Sequence, residues 1–191
     1  MKAEVEAVAG CEIEAHEQKR LVTLPGYFRP TKQWDLTIFH QGKMLATIEL
    51  KSLGGPSFGN NVNNRCEEAL GSGLDFRTVQ REGGFGKGAA PFLGYMILVH
   101  DEDGSRKPPA RPPSSPHFKC DPVFSSASYM ERMNLLCERM MQEGIYDCAA
   151  VIASSPVAGV KGAFSNISSE TSFERLIVKL KAHVQAETSL V

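Results

Sequence analysis

Three charged residues interrupt two apolar runs in the stretch QWDLTIFHQGKMLATIELKS, residues 33–52: Asp35 in the first run, Glu49 and Lys51 in the second. Between the runs lies HQGK, a turn signal that folds them into an antiparallel hairpin. Asp35 and Glu49 stand seven residues on either side of Gly42, so a hairpin centred there sets them opposite each other. Opposed Cβ atoms lie about 5 Å apart, close enough for two carboxylates to share one divalent cation.

Period-2 alternation puts Thr37, Thr47, Glu49 and Lys51 on the face of Asp35, and Trp34, Leu36, Ile38, Ala46, Ile48 and Leu50 on the other. Two such carboxylates repel unless a cation or a proton lies between them. Hard oxygen ligands suit magnesium, whose bound water becomes more acidic, and an ammonium two residues from Glu49 can orient that water. Spacing alone leaves two readings open, a metal-binding hairpin of the form D-(x13)-E-x-K and a solvated polar sheet face. The register could slip by one residue.

The elements that must position these residues alternate in type. LPGYFRPTKQ is a turn or an extended lead-in to a strand near Trp34. SLGGPSFGNNVNN reads as a loop, followed by a helix from about Arg65 to Arg81, with Asn64 as N-cap and Glu67 completing a capping box. PFLGYMILVH and CAAVIASS are buried strands. Tyr129, Met133, Leu136, Met140 and Met141 recur at helical spacing up to Gly144, and Phe173, Leu176, Ile177 and Leu180 share one face of a final capped helix. Residues 1–21 carry a thin apolar stripe of Val5, Val8, Ile13 and Leu21 that fits a helix. The proline-rich segment within 101–123 is an exposed excursion. The economical architecture is α/β (α+β), a mixed central sheet flanked by helices, in one domain over 1–191.

Composition narrows the classes further. At 42% hydrophobic and 23% charged, the chain of 191 residues is an ordinary globular protein. No apolar run reaches the roughly 20 residues of a membrane span, and the Glu-rich start is no signal peptide, so a cytoplasmic location is expected. Five cysteines without a C-x-x-C pair suggest reduced thiols. A net charge of -1 excludes a uniformly basic nucleic-acid coat but leaves room for a local basic cleft. GGFGKGAA lacks the spacing of a phosphate loop, and the histidines show no zinc spacing.

From LPGYFRPTKQWD through IELKSLGGPSFGNNVNNRCEEALGSGLD to REGGFGKGAAPFLGY, and again at SYMERMNLLCERM and SFERLIVKLKAHV, the chain resembles the XhoI-type restriction endonucleases. The resemblance runs from about Leu24 to Val184 and implies a PD-(D/E)xK core. It implies a type II enzyme that uses Mg2+ to cut both strands of double-stranded DNA at a short palindrome, CTCGAG in this family. A homodimer matching the site's two-fold and a companion DNA methyltransferase come with it. Carried over, Asp35 and Glu49 are the metal ligands with the Leu50 carbonyl, and Lys51 positions the attacking water.

Two segments depart from the family pattern. Residues 1–23 are divergent and shorter than the family's usual N-terminal portion, and KPPARPPSSP has no counterpart. The first matters because many nucleases of this fold use an acid on an N-terminal helix, for which Glu12, Glu14 and Glu17 are candidates. A catalytically silent, N-terminally truncated DNA-binding remnant is therefore the alternative.

Around GPSFGNNVNNR, the side chains of Ser57, Asn60, Asn61, Asn63, Asn64 and Arg65 are candidate DNA contacts, since Asn pairs bidentately with adenine and Arg with guanine. By composition alone these are turn and capping residues, and adjacency to Lys51 with the family resemblance favours DNA. Arg77, Arg81 and Lys87 fit either phosphate contacts or a solvated helix face.

Overall fold

The hairpin forms with the spacing the sequence demands. Strand β4 (Leu36–His40) pairs antiparallel with β5 (Lys43–Leu53), with Leu36 opposite Ile48 and Thr37 opposite Thr47, the register that Gly42 predicts. Towards the turn the register shifts by one, so Phe39 faces Met44 and Leu45 is the extra residue of a bulge. The two turn residues, Gln41 and Gly42, both take positive φ, 49° and 79°. That is the twist a two-residue hairpin loop needs, and glycine meets it without strain. The slip that threatened the site is thus confined to the turn end.

The computed structural model describes residues 13–86 and 90–189. Strand β1 (Glu14–His16) lies on the outer edge of β4. Strands β2 (Thr23–Pro25) and β3 (Thr31–Gln33) form a small separate ribbon. After the hairpin come β6 (Phe92–His100), β7 (Cys148–Ser154) and β8 (Ser165–Asn166). The main sheet has six strands in the order β1-β4-β5-β6-β7-β8. The β5, β6 and β7 strands run parallel, while β1, β4 and β8 pair antiparallel with their neighbours, so the sheet is mixed as expected.

Among the described residues three long helices cover it: α1 (Phe58–Arg81), α2 (Tyr129–Gln142) and α3 (Phe173–Thr188). Phe58, Val62, Ala69 and Phe76 of α1 join Met133, Cys137 and Met140 of α2 over Tyr95, Ile97 and Val99. On the opposite face Leu176, Leu180 and Val184 of α3 pack on Leu36, Ile38, Ala46 and Ile48. Both caps are chemical: Ser128 and Glu131 close a capping box on α2, and Ser172 accepts from the Arg175 amide on α3. Burying both faces explains the near-continuous apolar runs of β6 and β7.

Four expectations need correction. Helix α1 begins at Phe58, not near Arg65, and Ser57 rather than Asn64 precedes it. Glycines and asparagines read as loop formers because their intrinsic helix propensity is poor, yet Phe58 and Val62 bury against the core and carry the first two turns. Trp34 sits in the α1-side core and not with Leu36, because it precedes β4 and follows the β3 ribbon, where alternation no longer applies. Of the N-terminal helix, residues 1–12 lie outside the described residues, and Glu14–His16 is a strand. An unpaired β4 edge offers backbone groups that a strand satisfies and a helix cannot.

The proline-rich stretch from Lys107 to Asp121 forms neither helix nor strand and is largely exposed. Cys66, Cys120, Cys137 and Cys148 are unpaired. Among the described residues no helix is long and apolar enough to cross a membrane.

Candidate active site

The polar face of the hairpin is buried at Thr37, Thr47 and Glu49, while Asp35 is exposed and Lys51 half-buried, so at its centre it is not a solvated face. Thr37 and Thr47 are fully enclosed and Glu49 is only 2% exposed, because α1 lies across this side of the sheet. An isolated buried carboxylate is costly, and it persists where cations balance it. Glu49 has two such partners. Lys51 Nζ stands 2.5 Å from Oε1, and Lys32 Nζ, from β3, stands 2.8 Å from Oε2. Oε2 is buried, and the Lys32 ammonium is the partner it has.

Asp35 occupies the position before β4, where its amide donates to the Ile48 carbonyl at 3.3 Å. Its own carboxylate accepts the Leu50 amide at 2.7 Å. That bond fixes the Asp35 carboxylate within one peptide of Glu49, on the exposed rim of the site. Asp35, Glu49, Leu50 and Lys51 are therefore brought together. A groove of about 230 Å³ opens beside them, lined by Arg29, Lys32, Glu49, Lys51, Glu67 and Glu68 among others.

Among the described residues no group of three or more His, Cys, Asp and Glu side chains could hold a metal ion. A set of two carboxylates and a backbone carbonyl is smaller than that and all oxygen. The buried Oε2 of Glu49 is engaged, among the described residues, only by the Lys32 ammonium and keeps a lone pair, so with Asp35 and the Leu50 carbonyl the all-oxygen set fits a hard divalent ion. Tyr95, beside Glu49 in the β5–β6 register, has a buried hydroxyl without a hydrogen bond. Burial, reinforced by Cys137, Tyr146 and Glu49, pushes its pKa far above the tyrosine range, so it stays protonated and is no base.

The lead-in segment is tied to α1 by Asp75, 3% exposed. Its Oδ1 accepts the amides of Tyr27 and Phe28 at 2.8 Å each, and Oδ2 accepts Arg29 Nε at 2.7 Å. Burial opposes ionisation, but Arg29 and the two amides outweigh it and hold the carboxyl below its ordinary value. A Cβ on Gly26 would lie 2.9 Å from Asp75 Oδ2 and 2.5 Å from the Arg29 carbonyl, so the turn admits only glycine without rearrangement. This clasp delivers β3, and with it Lys32, to the site.

The predicted DNA contacts fall on the first two turns of α1 and just before it. Asn60, Asn63 and Asn64 are exposed. Asn61 donates to the Gly54 carbonyl at 2.9 Å, Asn63 to Glu67 at 2.8 Å, and Arg65 Nε to the Ser52 carbonyl at 3.1 Å while it ion-pairs with Glu68. Three of the six thus have structural bonds, while Ser57, Asn60 and Asn64 are presented outward. Arg77 reaches the Ile145 carbonyl and Asp147, on the far side of the helix from solvent-only duty. Arg81 is a surface ion pair with Glu82, and Lys87 lies outside the described residues. Glu14 pairs opposite Phe39 near the turn, away from Glu49, and Glu17 is exposed, while Glu12 lies outside the described residues.

Sequence reasoning missed Lys32, Asp75, Glu67 and Glu68. Lys32 is three residues from Asp35 and shares no periodic face with it, so only the fold of the β2–β3 ribbon reveals its position. Asp75 reads as a polar interruption of an apolar helix, which was the available signal.

The family described as restriction endonuclease XhoI matches residues 2–166. The type II restriction enzyme XhoI of Xanthomonas vasicola is 50% identical over 123 residues, 64% of this chain and 49% of that protein. BstVI of Geobacillus stearothermophilus, also a type II restriction enzyme, is 38% identical over 173 residues, 88% of this chain and 76% of that protein. AbrI of Azospirillum brasilense, a third, is 50% identical over 107 residues, 56% of this chain and 47% of that protein. The chain spans about half the length of the first and third of these relatives. No solved structure matches.

Proposed function

This chain belongs to the restriction endonuclease XhoI family, and from that premise we propose that it hydrolyses both strands of duplex DNA at a short palindrome, CTCGAG, with magnesium. The observation that carries the reading is the buried Glu49 in contact with Lys51, on a hairpin whose ladder ends at Leu36 opposite Ile48, with the adjoining Asp35 carboxylate bonded to the Leu50 amide. Asp35, Glu49 and the Leu50 carbonyl would hold the ion. When bound, it supplies Lewis acidity at the scissile phosphate and acidifies water.

The chain's own residues do the rest. The Lys51 ammonium turns from Glu49 to the attacking water or a phosphate oxygen, a short swing for a side chain 25% exposed. The water oxygen bonds to phosphorus as the P–O bond to the departing strand breaks; the water's proton passes to a phosphate oxygen or to solvent, because an ammonium can only donate, and the departing oxygen takes a proton from solvent. Ser57, Asn60, Asn61, Asn63, Asn64 and Arg65, at the start of α1, meet the DNA, with Asn60 and Asn64 the outward readers. A homodimer matches the palindrome's two-fold, and a DNA methyltransferase in the same cytoplasm protects the host sites.

The test is a CTCGAG plasmid incubated with the protein and magnesium beside Lys51→Ala. Wild type is expected to linearise it and the variant to leave it intact. A folded wild type that does not cut, or equal cutting by both, overturns the assignment.

A further inference from the structure

Glu49 is served by two ammonium groups, and the E-x-K pattern accounts for one of them. Resting on the nuclease reading above, we propose that Lys32 is a positioning residue of the reaction. It fixes Glu49 Oε2 so that Oε1 stays turned towards Lys51 and the groove.

The two lysines are held very differently. Lys32 is 11% exposed in its side chain and touches three groups: Glu49 Oε2 at 2.8 Å, the Gln33 carbonyl at 3.2 Å, and the Trp34 ring at 4.4 Å from its centroid. Trp34 is itself buried, 3% exposed and edge-on to Phe76 of α1. Lys51 is more exposed, at 25%, and lines the same groove. Ordering a lysine side chain costs conformational entropy, and here the fold settles that cost for Lys32 before any substrate arrives. No other group among the described residues engages the buried Oε2, so the Lys32 ammonium is what locates it. Lys32 therefore stays in place while Lys51 is released to the substrate.

Charge counting supplies a signature that a merely structural lysine would lack. Asp35, Glu49, Lys32 and Lys51 together are neutral. Replacing Lys32 with a neutral residue makes the site more attractive to a divalent cation while loosening the carboxylate that must receive it. Cation affinity and cleavage rate then move in opposite directions.

The experiment uses the full chain with Lys32→Met, Lys32→Gln and Lys32→Arg beside wild type. Calcium binding is followed by calorimetry, retention of a CTCGAG duplex in EDTA by gel shift, and single-turnover cleavage in magnesium. The Met and Gln variants are expected to bind calcium roughly tenfold more tightly, to retain duplex within about threefold, and to cleave about a hundredfold more slowly. Lys32→Arg keeps the charge, the ring contact and the calcium affinity, and regains about tenfold of the lost rate. Should Met disturb folding, Gln carries the comparison. Wild-type cleavage by both neutral variants overturns this inference alone, as does duplex retention falling in step with rate, which would make Lys32 a phosphate contact. A wild type that retains duplex yet never cuts overturns the nuclease reading, and this inference with it.

Discussion

Asp75→Ala removes the clasp between the lead-in and α1, and its cost can be worked from the contacts. Each hydrogen bond from an amide to a charged acceptor contributes about 1.5–3 kcal/mol. The bonds from Tyr27 and Phe28 are both 2.8 Å, and at the lower limit they give about 3 kcal/mol together. The Arg29 side chain is 40% exposed, so solvent screens its ion pair to about 0.5 kcal/mol. The expected loss is roughly 3–4 kcal/mol, which for a chain of this size lowers Tm by roughly 10 °C. Asp75→Asn keeps the acceptor for both amides but turns an N–H donor towards Arg29, for a loss of about 1–2 kcal/mol. The single tryptophan, Trp34, is buried and reports unfolding directly. Urea titrations by its fluorescence should show lower midpoints at unchanged slope, in the order wild type, Asn, Ala. An Ala variant within about 1 kcal/mol of wild type, or an Asn variant less stable than Ala, refutes the reasoning.

Further outcomes follow from other contacts. Because the Asp75 pKa is lowered on folding, its contribution is present above the unfolded carboxylate value and is lost as pH falls through the folded one. Wild type should therefore lose stability below about pH 4 more steeply than Asp75→Asn, in paired thermal melts. Gly73→Ala would push a methyl into Ile145 Cγ2 and to 2.7 Å from Tyr146 Cε2, and should cost about 1–3 kcal/mol in a urea midpoint. Tyr146→Phe deletes the 2.9 Å bond to the Ala69 carbonyl and should cost about 1 kcal/mol, with the cleavage rate per folded molecule unchanged.

What was legible in the sequence followed periodicity. The hairpin register, the face shared by Thr37, Thr47 and Glu49, the strands β6 and β7 and the last two helices all come from period 2 or 3.6 in apolar residues. The start of α1 was not legible, because glycine and asparagine are poor helix formers and tertiary packing of Phe58 and Val62 overrides them. Lys32 was invisible for another reason. It reaches Glu49 through a ribbon of two short strands held by Asp75, a residue 43 positions further along, and no local spacing encodes such a contact.

The bulge at Leu45 has a practical consequence for handling the hairpin. A one-residue change in a turn ordinarily flips every side chain down both strands to the opposite face. Here the ladder already absorbs one such change between the turn and the site, so the two ends of the hairpin keep separate registers. The tip at Gln41 and Gly42 lies seven residues along β5 from Glu49, roughly 20 Å away. It is the natural attachment point for a fluorophore or an inserted peptide, one that would report on the protein without disturbing the arrangement of Glu49, Lys51 and Lys32.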